Sequence, residues 1–117
     1  MSPRDCPVRG VIDGIGDKWS VLVILHLNQG SHRFSRLMSE IGDISQRMLT
    51  VTLRKLERDG LVQRTVTPTR PPRVDYALTD LGASLVGQLQ TMADWAVANR
   101  ATIDAARDRF DSTAGEA

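Results

Sequence analysis

The sequence predicts a small α+β fold, mostly α, with four short helices, a two-stranded hairpin and a long closing helix. Three observations predict it. Apolar residues recur at helical spacing in four blocks between Pro7 and Arg58. The period then changes to alternation over Leu61-Val62-Gln63-Arg64-Thr65-Val66-Thr67 and over Val74-Asp75-Tyr76-Ala77-Leu78. A helical period returns at Thr79 and is sustained to Phe110.

With 117 residues, 41% of them apolar, the chain suits one domain with one modest core. Two tryptophans, two phenylalanines and one tyrosine make that core aliphatic. Met1 to Asp5 is a polar arm. Pro7 suits the first helical position, which puts Cys6 at the N-cap of a helix ending near Ile15. Val8, Val11, Ile12 and Ile15 form its apolar stripe, and Gly14 and Gly16 break it. The glycines are no phosphate loop, because no Gly-Lys-Ser/Thr follows them. Asp17 is the next N-cap, and the helix from Lys18 to about Asn28 is apolar on nearly every side, which makes it central and buried. Gln29-Gly30-Ser31 ends it, and His32 falls in the loop. Arg33 to about Glu40 is a third helix with Phe34, Leu37, Met38 and Ile41 on its inner side, and Gly42-Asp43-Ile44 is a tight turn.

Ser45 then stands where an N-cap belongs and Gly60 where a helix stops. Between them Leu49, Leu53 and Leu56 fall on one face. Arg47, Val51, Arg54 and Arg58 fall on the other, flanked by Thr50 and Lys55. A helix so divided can pack on a small core and lie in the major groove of DNA. Arginine pairs with guanine edges or phosphates, and Val51 can touch a thymine methyl. The other reading of that face is the solvated side of an ordinary amphipathic helix. Two short helices joined by a brief turn, the second basic outside, form a helix-turn-helix pattern, with Ser45 and Gln46 at the leading end of the DNA-facing set.

The alternating segments flank Pro68-Thr69-Arg70-Pro71-Pro72-Arg73, so they form a hairpin with a stiff tip. A hairpin directly after such a helix is a wing. Arg70 and Arg73 at its tip can reach phosphate or the narrow minor groove, although Arg73 can equally pair with a nearby carboxylate. The long helix places Leu81, Leu85, Leu89, Met92 and Ala96 on one stripe with Trp95 beside them, and Ile103, Ala106 and Phe110 extend it. The domain before this helix is already complete, so a second copy of the chain is the expected partner for the stripe.

Charge is informative in its distribution. The net value is only +1. From Arg47 to Arg73, however, seven basic residues face only Glu57 and Asp59, about +5, whereas Thr79 to Ala117 is about −3. Positive charge gathered on one segment points to nucleic acid.

Taken together the motifs resemble the HxlR-type branch of the bacterial MarR-like winged-helix regulators. The resemblance rests on Cys6-Pro7-Val8, Ile15-Gly16-Asp17-Lys18-Trp19, Phe34-Ser35-Arg36-Leu37, Ile44-Ser45-Gln46-Arg47-Met48-Leu49-Thr50, Leu53-Arg54-Lys55-Leu56-Glu57-Arg58-Asp59-Gly60-Leu61-Val62, Pro71-Pro72-Arg73-Val74-Asp75-Tyr76 and Leu78-Thr79-Asp80-Leu81-Gly82. These run in family order from Cys6 to Gly82. The resemblance implies a homodimeric transcription factor on an inverted-repeat operator. It also implies that the first helix (Val8, Val11, Ile12) packs near the dimer helices, and that a cysteine before proline, here Cys6, can sense electrophiles or oxidants. Val51 stands where relatives often carry a longer polar residue, and the segment after Asn99 runs past the usual family end.

The domain expectation is one winged-helix domain over 1–117. Within it, 1–16 form the arm and first helix, 17–78 the core, 79–110 the dimerisation helices and 111–117 a disordered tail. The functional expectation is a DNA-binding repressor acting as a homodimer on double-stranded DNA. Cys6 either senses oxidants or is an inert helix cap; Arg4 and Arg9 nearby would favour its thiolate and Asp5 oppose it. Trp95 either fills the dimer core or covers a small-molecule site. The alternative from another class is a dimeric protein-interaction module that binds no DNA. His26, His32 and one cysteine offer no metal-ligand spacing and no fixed catalytic set, so no metal, cofactor or enzymatic activity is expected. The absence of a signal peptide or long apolar span makes a cytoplasmic protein with no membrane partner the expectation.

Overall fold

The computed structural model describes residues 7–114; Cys6, residues 115–117 and the side chain of Val11 lie outside that description. The chain divides into two compact units, Met1–Gly87 and Gln88–Ala117.

The first unit carries α1 (Pro7–Ile15), α2 (Lys18–Leu27), β1 (His32–Arg33), α3 (Phe34–Ile41), α4 (Gln46–Arg58), β2 (Val62–Thr67), β3 (Arg73–Leu78) and the start of α5 (Asp80–Ala114). Each helix begins for a local reason. The carboxylate of Asp17 accepts the Ser20 N–H at 2.8 Å and so caps α2. Ser45 Oγ accepts the Met48 N–H at 3.0 Å and caps α4. Thr79 Oγ1 accepts the Gly82 N–H at 3.1 Å and donates to the Gly60 carbonyl at 2.5 Å, tying the head of α5 to the end of α4. Gly60 has φ 77°, a conformation that favours glycine, and it turns the chain from helix to strand. Gly82 lies so close to the Leu61 carbonyl that any Cβ would collide with backbone.

The core is aliphatic, as composition requires. Val23, Ile24 and Leu27 of α2 and Leu37 of α3 are buried with Leu49, Leu53 and Leu56 of α4, and Ile44 and Val62 are buried as well. Thr52 joins the buried face of α4, its hydroxyl donating to the Met48 carbonyl at 2.8 Å. The expectation that α2 is central and buried holds for Ser20, Val23, Ile24 and Leu27 but not for every apolar side chain. Leu22 is exposed, and Trp19 is half-buried with Lys18 Nζ 4.4 Å from its ring centroid. The apolar side chains of α2 exceed what the neighbouring elements cover.

Strand β1 was not foreseen. The sequence reading leaves His32 in a loop and starts the third helix at Arg33; the structure pairs both with β3, and the helix begins at Phe34. The sheet therefore has three antiparallel strands in the order β1-β3-β2, with the expected hairpin β2–β3 as its wing. A two-residue strand is too short to show alternation. What fixes it is His32, buried with both ring nitrogens on oxygen acceptors. Nδ1 lies 2.7 Å from the Gly30 carbonyl and Nε2 2.9 Å from Glu40 Oε2. The same Glu40 oxygen lies 3.3 Å from His26 Nδ1, and its other oxygen accepts from Arg36 at 3.0 Å. Burial pushes the Glu40 carboxyl up, but hydrogen bonds from Arg36 and His32 and their charge outweigh it, and the net shift is downward. Among the described residues no group of His, Cys, Asp and Glu could hold a metal.

Lys55 Nζ donates to Asp17 Oδ2 at 2.9 Å, which ties α4 to the start of α2. Burial raises the Asp17 carboxyl, but hydrogen bonds from Lys55 and Ser20 and the Lys55 charge outweigh that, taking it from 3.8 to about 2. A lowered carboxyl contributes stability that is present above its unfolded value and lost as pH falls through its folded one. The melting temperature should therefore hold above pH 3.8 and lose this contribution as pH approaches about 2. In Asp17→Asn that component of the acid limb should vanish, as a pH series of thermal melts would read.

The second unit is the remainder of α5. Leu89 is buried, while Met92, Trp95, Val97 and Phe110 are exposed. The helix continues through Ala114 where a disordered tail from Asp111 was expected. No helix among the described residues is long and apolar enough to cross a membrane.

Candidate nucleic-acid interface

Helix α4 presents its expected outer face. Gln46, Arg47, Thr50, Val51, Arg54 and Arg58 are all exposed, Val51 at 54%. Leu49, Leu53 and Leu56 anchor the opposite side, so the cationic stripe is held on a rigid base. Thr50 Oγ1 donates to the Gln46 carbonyl at 2.9 Å, so its hydroxyl proton is engaged within the helix. Met48 is 41% exposed and adds an apolar surface next to Ser45 that the sequence reading did not include.

Lys55 stands apart from this set. Its ammonium is engaged by Asp17, so it holds the helix pair together instead of facing outward freely. Arg73 likewise donates through Nε to Asp75 Oδ2 at 3.0 Å, the carboxylate pairing that the sequence left open. Arg70 is exposed at the tip, and Thr69 Oγ1 braces the turn by donating to the Pro71 carbonyl at 2.9 Å.

Two clefts flank the wing. One, of about 480 Å³, lies between α4 and the β2–β3 hairpin and is lined by Arg54, Arg58 and Arg64 with Thr50, Leu53, Glu57 and Tyr76. Arg64 was not singled out as a site residue, yet its position two residues after buried Val62, on the same face of β2, is the signal that could have placed it beside α4. The other, of about 610 Å³, lies between the wing tip and the start of α3 and includes Arg33, Ser35, Arg70 and Arg73. Both could hold anions, and neither contains a nucleophile–base pair.

Val8 and Ile12 of α1 and Leu81, Met92 and Trp95 of α5 are exposed, Met92 at 64% and Trp95 at 60%, while Leu85 is half-buried. Leu89 is 4% exposed.

A helix-turn-helix carrying a basic outer helix and followed by an arginine-tipped hairpin defines a winged helix-turn-helix protein. A model of the HxlR-like helix-turn-helix family matches residues 14–104, and the chain belongs to that family. It is 40% identical over 105 residues to the HTH-type transcriptional regulator YtfH of Escherichia coli (strain K12), covering 90% of this chain and 83% of that one. Among solved structures it is similar to the redox regulator HypR in its reduced form, with TM-score 0.81 and 38% identity over 86% of this chain and 99% of that one. It also resembles diamide-treated YodB from B. subtilis, with TM-score 0.69 and 35% identity over 82% of this chain and 92% of that one. The family match runs past Asn99 to residue 104, and α5 continues beyond it to Ala114.

Proposed function

We propose that the protein is a cytoplasmic, homodimeric repressor that binds an inverted-repeat operator in double-stranded DNA. The carrying observation is the outer face of α4, where four exposed residues Arg47, Val51, Arg54 and Arg58 form one stripe over a fully buried leucine base. In this reading α4 enters the major groove, Arg47 and Val51 read base edges, Arg54 and Arg58 hold phosphate, and the wing grips the backbone or minor groove. A second chain supplies the other half-site by joining at Val8, Ile12, Met92 and Trp95. Arg47→Ala should cost about 1–3 kcal/mol in operator binding and relax sequence preference, with the fold intact. Gel shifts with operator and scrambled duplexes measure this; an unchanged ratio between the two would remove Arg47 from base reading.

A second element of this reading is control by oxidants through Cys6. It is favoured by the likeness to the redox regulator HypR and to YodB, whose structure was solved after diamide treatment. The chain has one cysteine. Oxidation therefore joins Cys6 to Cys6 of the partner subunit, or to a small thiol, with two electrons and two protons passing to the oxidant. Cys6→Ser should bind operator normally and ignore diamide, whereas the natural protein should release DNA under diamide and recover it with a reductant. If both respond alike, or neither responds, Cys6 is a structural cap and the effector is to be sought near Trp95.

A further inference from the structure

Strand pairing divides the arginines of the wing between two faces. In the register of the sheet His32 and Arg64 both stand opposite Tyr76, while Arg33 and Thr65 both stand opposite Asp75. Residues in one row point to one face, and successive residues alternate. Arg64 therefore shares the face of His32 and Tyr76, beside α4. Arg33 stands on the opposite face with Asp75, and Arg73 is on that face too, since its Nε bonds Asp75 Oδ2 at 3.0 Å. Arg70 lies at the tip between them.

The outer-face cleft brings Arg33 and Ser35, from the junction of β1 and α3, against Arg70 and Arg73 of the wing. Three guanidinium groups gather there against one carboxylate, Asp75, which is already bound to Arg73. Arg33 is exposed, and its guanidinium has no partner among the described residues.

Resting on the DNA-binding reading, we infer that this cleft is a second phosphodiester site and that the wing holds both strands of the duplex, one on each face. Arg64, with Arg54 and Arg58, grips the strand beside α4. Arg33 and Arg73 grip the strand across the minor groove, and Asp75 is a positioning residue that aims Arg73. Phosphates rim the minor groove, about 6 Å wide, on both sides, so arginines on the two faces of a wing lying over the groove can each reach one rim. The outer face collects its arginines from two separate elements, the β1–α3 junction and the wing.

The test uses the full-length protein and a duplex enriched from a random pool. Arg33→Ala, Arg64→Ala and the double variant are compared with the natural protein by salt titration and by hydroxyl-radical footprints of each strand. Each single change should lower the slope of log affinity against log salt by about 0.9, and the double change by about 1.8. Protection should weaken on one strand for Arg33→Ala and on the other for Arg64→Ala. Arg33→Lys keeps the charge and should keep the slope; a slope that drops equally in Arg33→Lys and Arg33→Ala would assign Arg33 a structural role and overturn the inference. An unchanged slope in Arg33→Ala, or loss of protection on the same strand in both variants, would overturn it while leaving DNA binding in place. A natural protein that bound no duplex would overturn both readings together.

Discussion

Trp95→Glu is expected to separate the subunits and to reduce operator affinity by roughly 10²–10⁴-fold, the gain that linkage of two binding modules confers. Two half-sites about 34–36 Å apart require two recognition helices held at that spacing. A monomer presents one. Trp95 and Met92 are 60% and 64% exposed in the single chain, so a carboxylate at either position disturbs no internal packing. In an apolar seam between chains, the same carboxylate would be buried without a partner. Leu89→Glu is the weaker experiment, because Leu89 is 4% exposed in one chain and its replacement confuses folding with association. Sedimentation velocity should show a monomer with an unchanged far-ultraviolet spectrum. A dimeric Trp95→Glu, matched by a dimeric Met92→Glu, would remove this face of α5 from the interface.

Leu53→Ala is expected to destabilise the protein by about 2–5 kcal/mol, a large part of the roughly 5–15 kcal/mol that holds a domain of this kind folded. Leu53 is buried on the inner face of α4, between Leu49 and Leu56 and next to buried Thr52. Truncation leaves a void in the buried face of α4. The neighbouring Arg54 is exposed and shares the groove beside the wing, so Arg54→Ala should leave the melt unchanged and weaken DNA binding. Chemical denaturation beside gel shifts separates the two. Equal stability of Leu53→Ala and the natural protein would mean that α4 does not rest on this leucine.

The helices were legible in the sequence wherever a cap and a period coincide. Asp17 and Ser45 cap α2 and α4 as read, and the leucine stripe of α4 is the buried one. The hairpin was legible because alternation begins directly after Gly60. The features that escaped depend on partners distant in sequence. Strand β1 is two residues long and exists because Tyr76 and Asp75 of β3 stand beside it. Lys55 looks like part of the cationic face until Asp17, 38 residues earlier, claims its ammonium. Arg33 reads as a helix residue and becomes a neighbour of the wing only through the sheet. The extension of α5 to Ala114 also escaped, since small and polar residues after Phe110 carry no apolar period to signal a helix.

Selection of bound duplexes from a random DNA pool tests the central claim most directly. The account predicts enrichment of an inverted repeat whose half-sites lie about one helical turn apart, bound with an affinity that falls steeply as salt rises. It predicts further that Arg47→Ala flattens the enrichment. A pool returned without a repeated motif, together with binding indifferent to salt, would contradict it and leave a dimeric protein-interaction module as the reading of this fold.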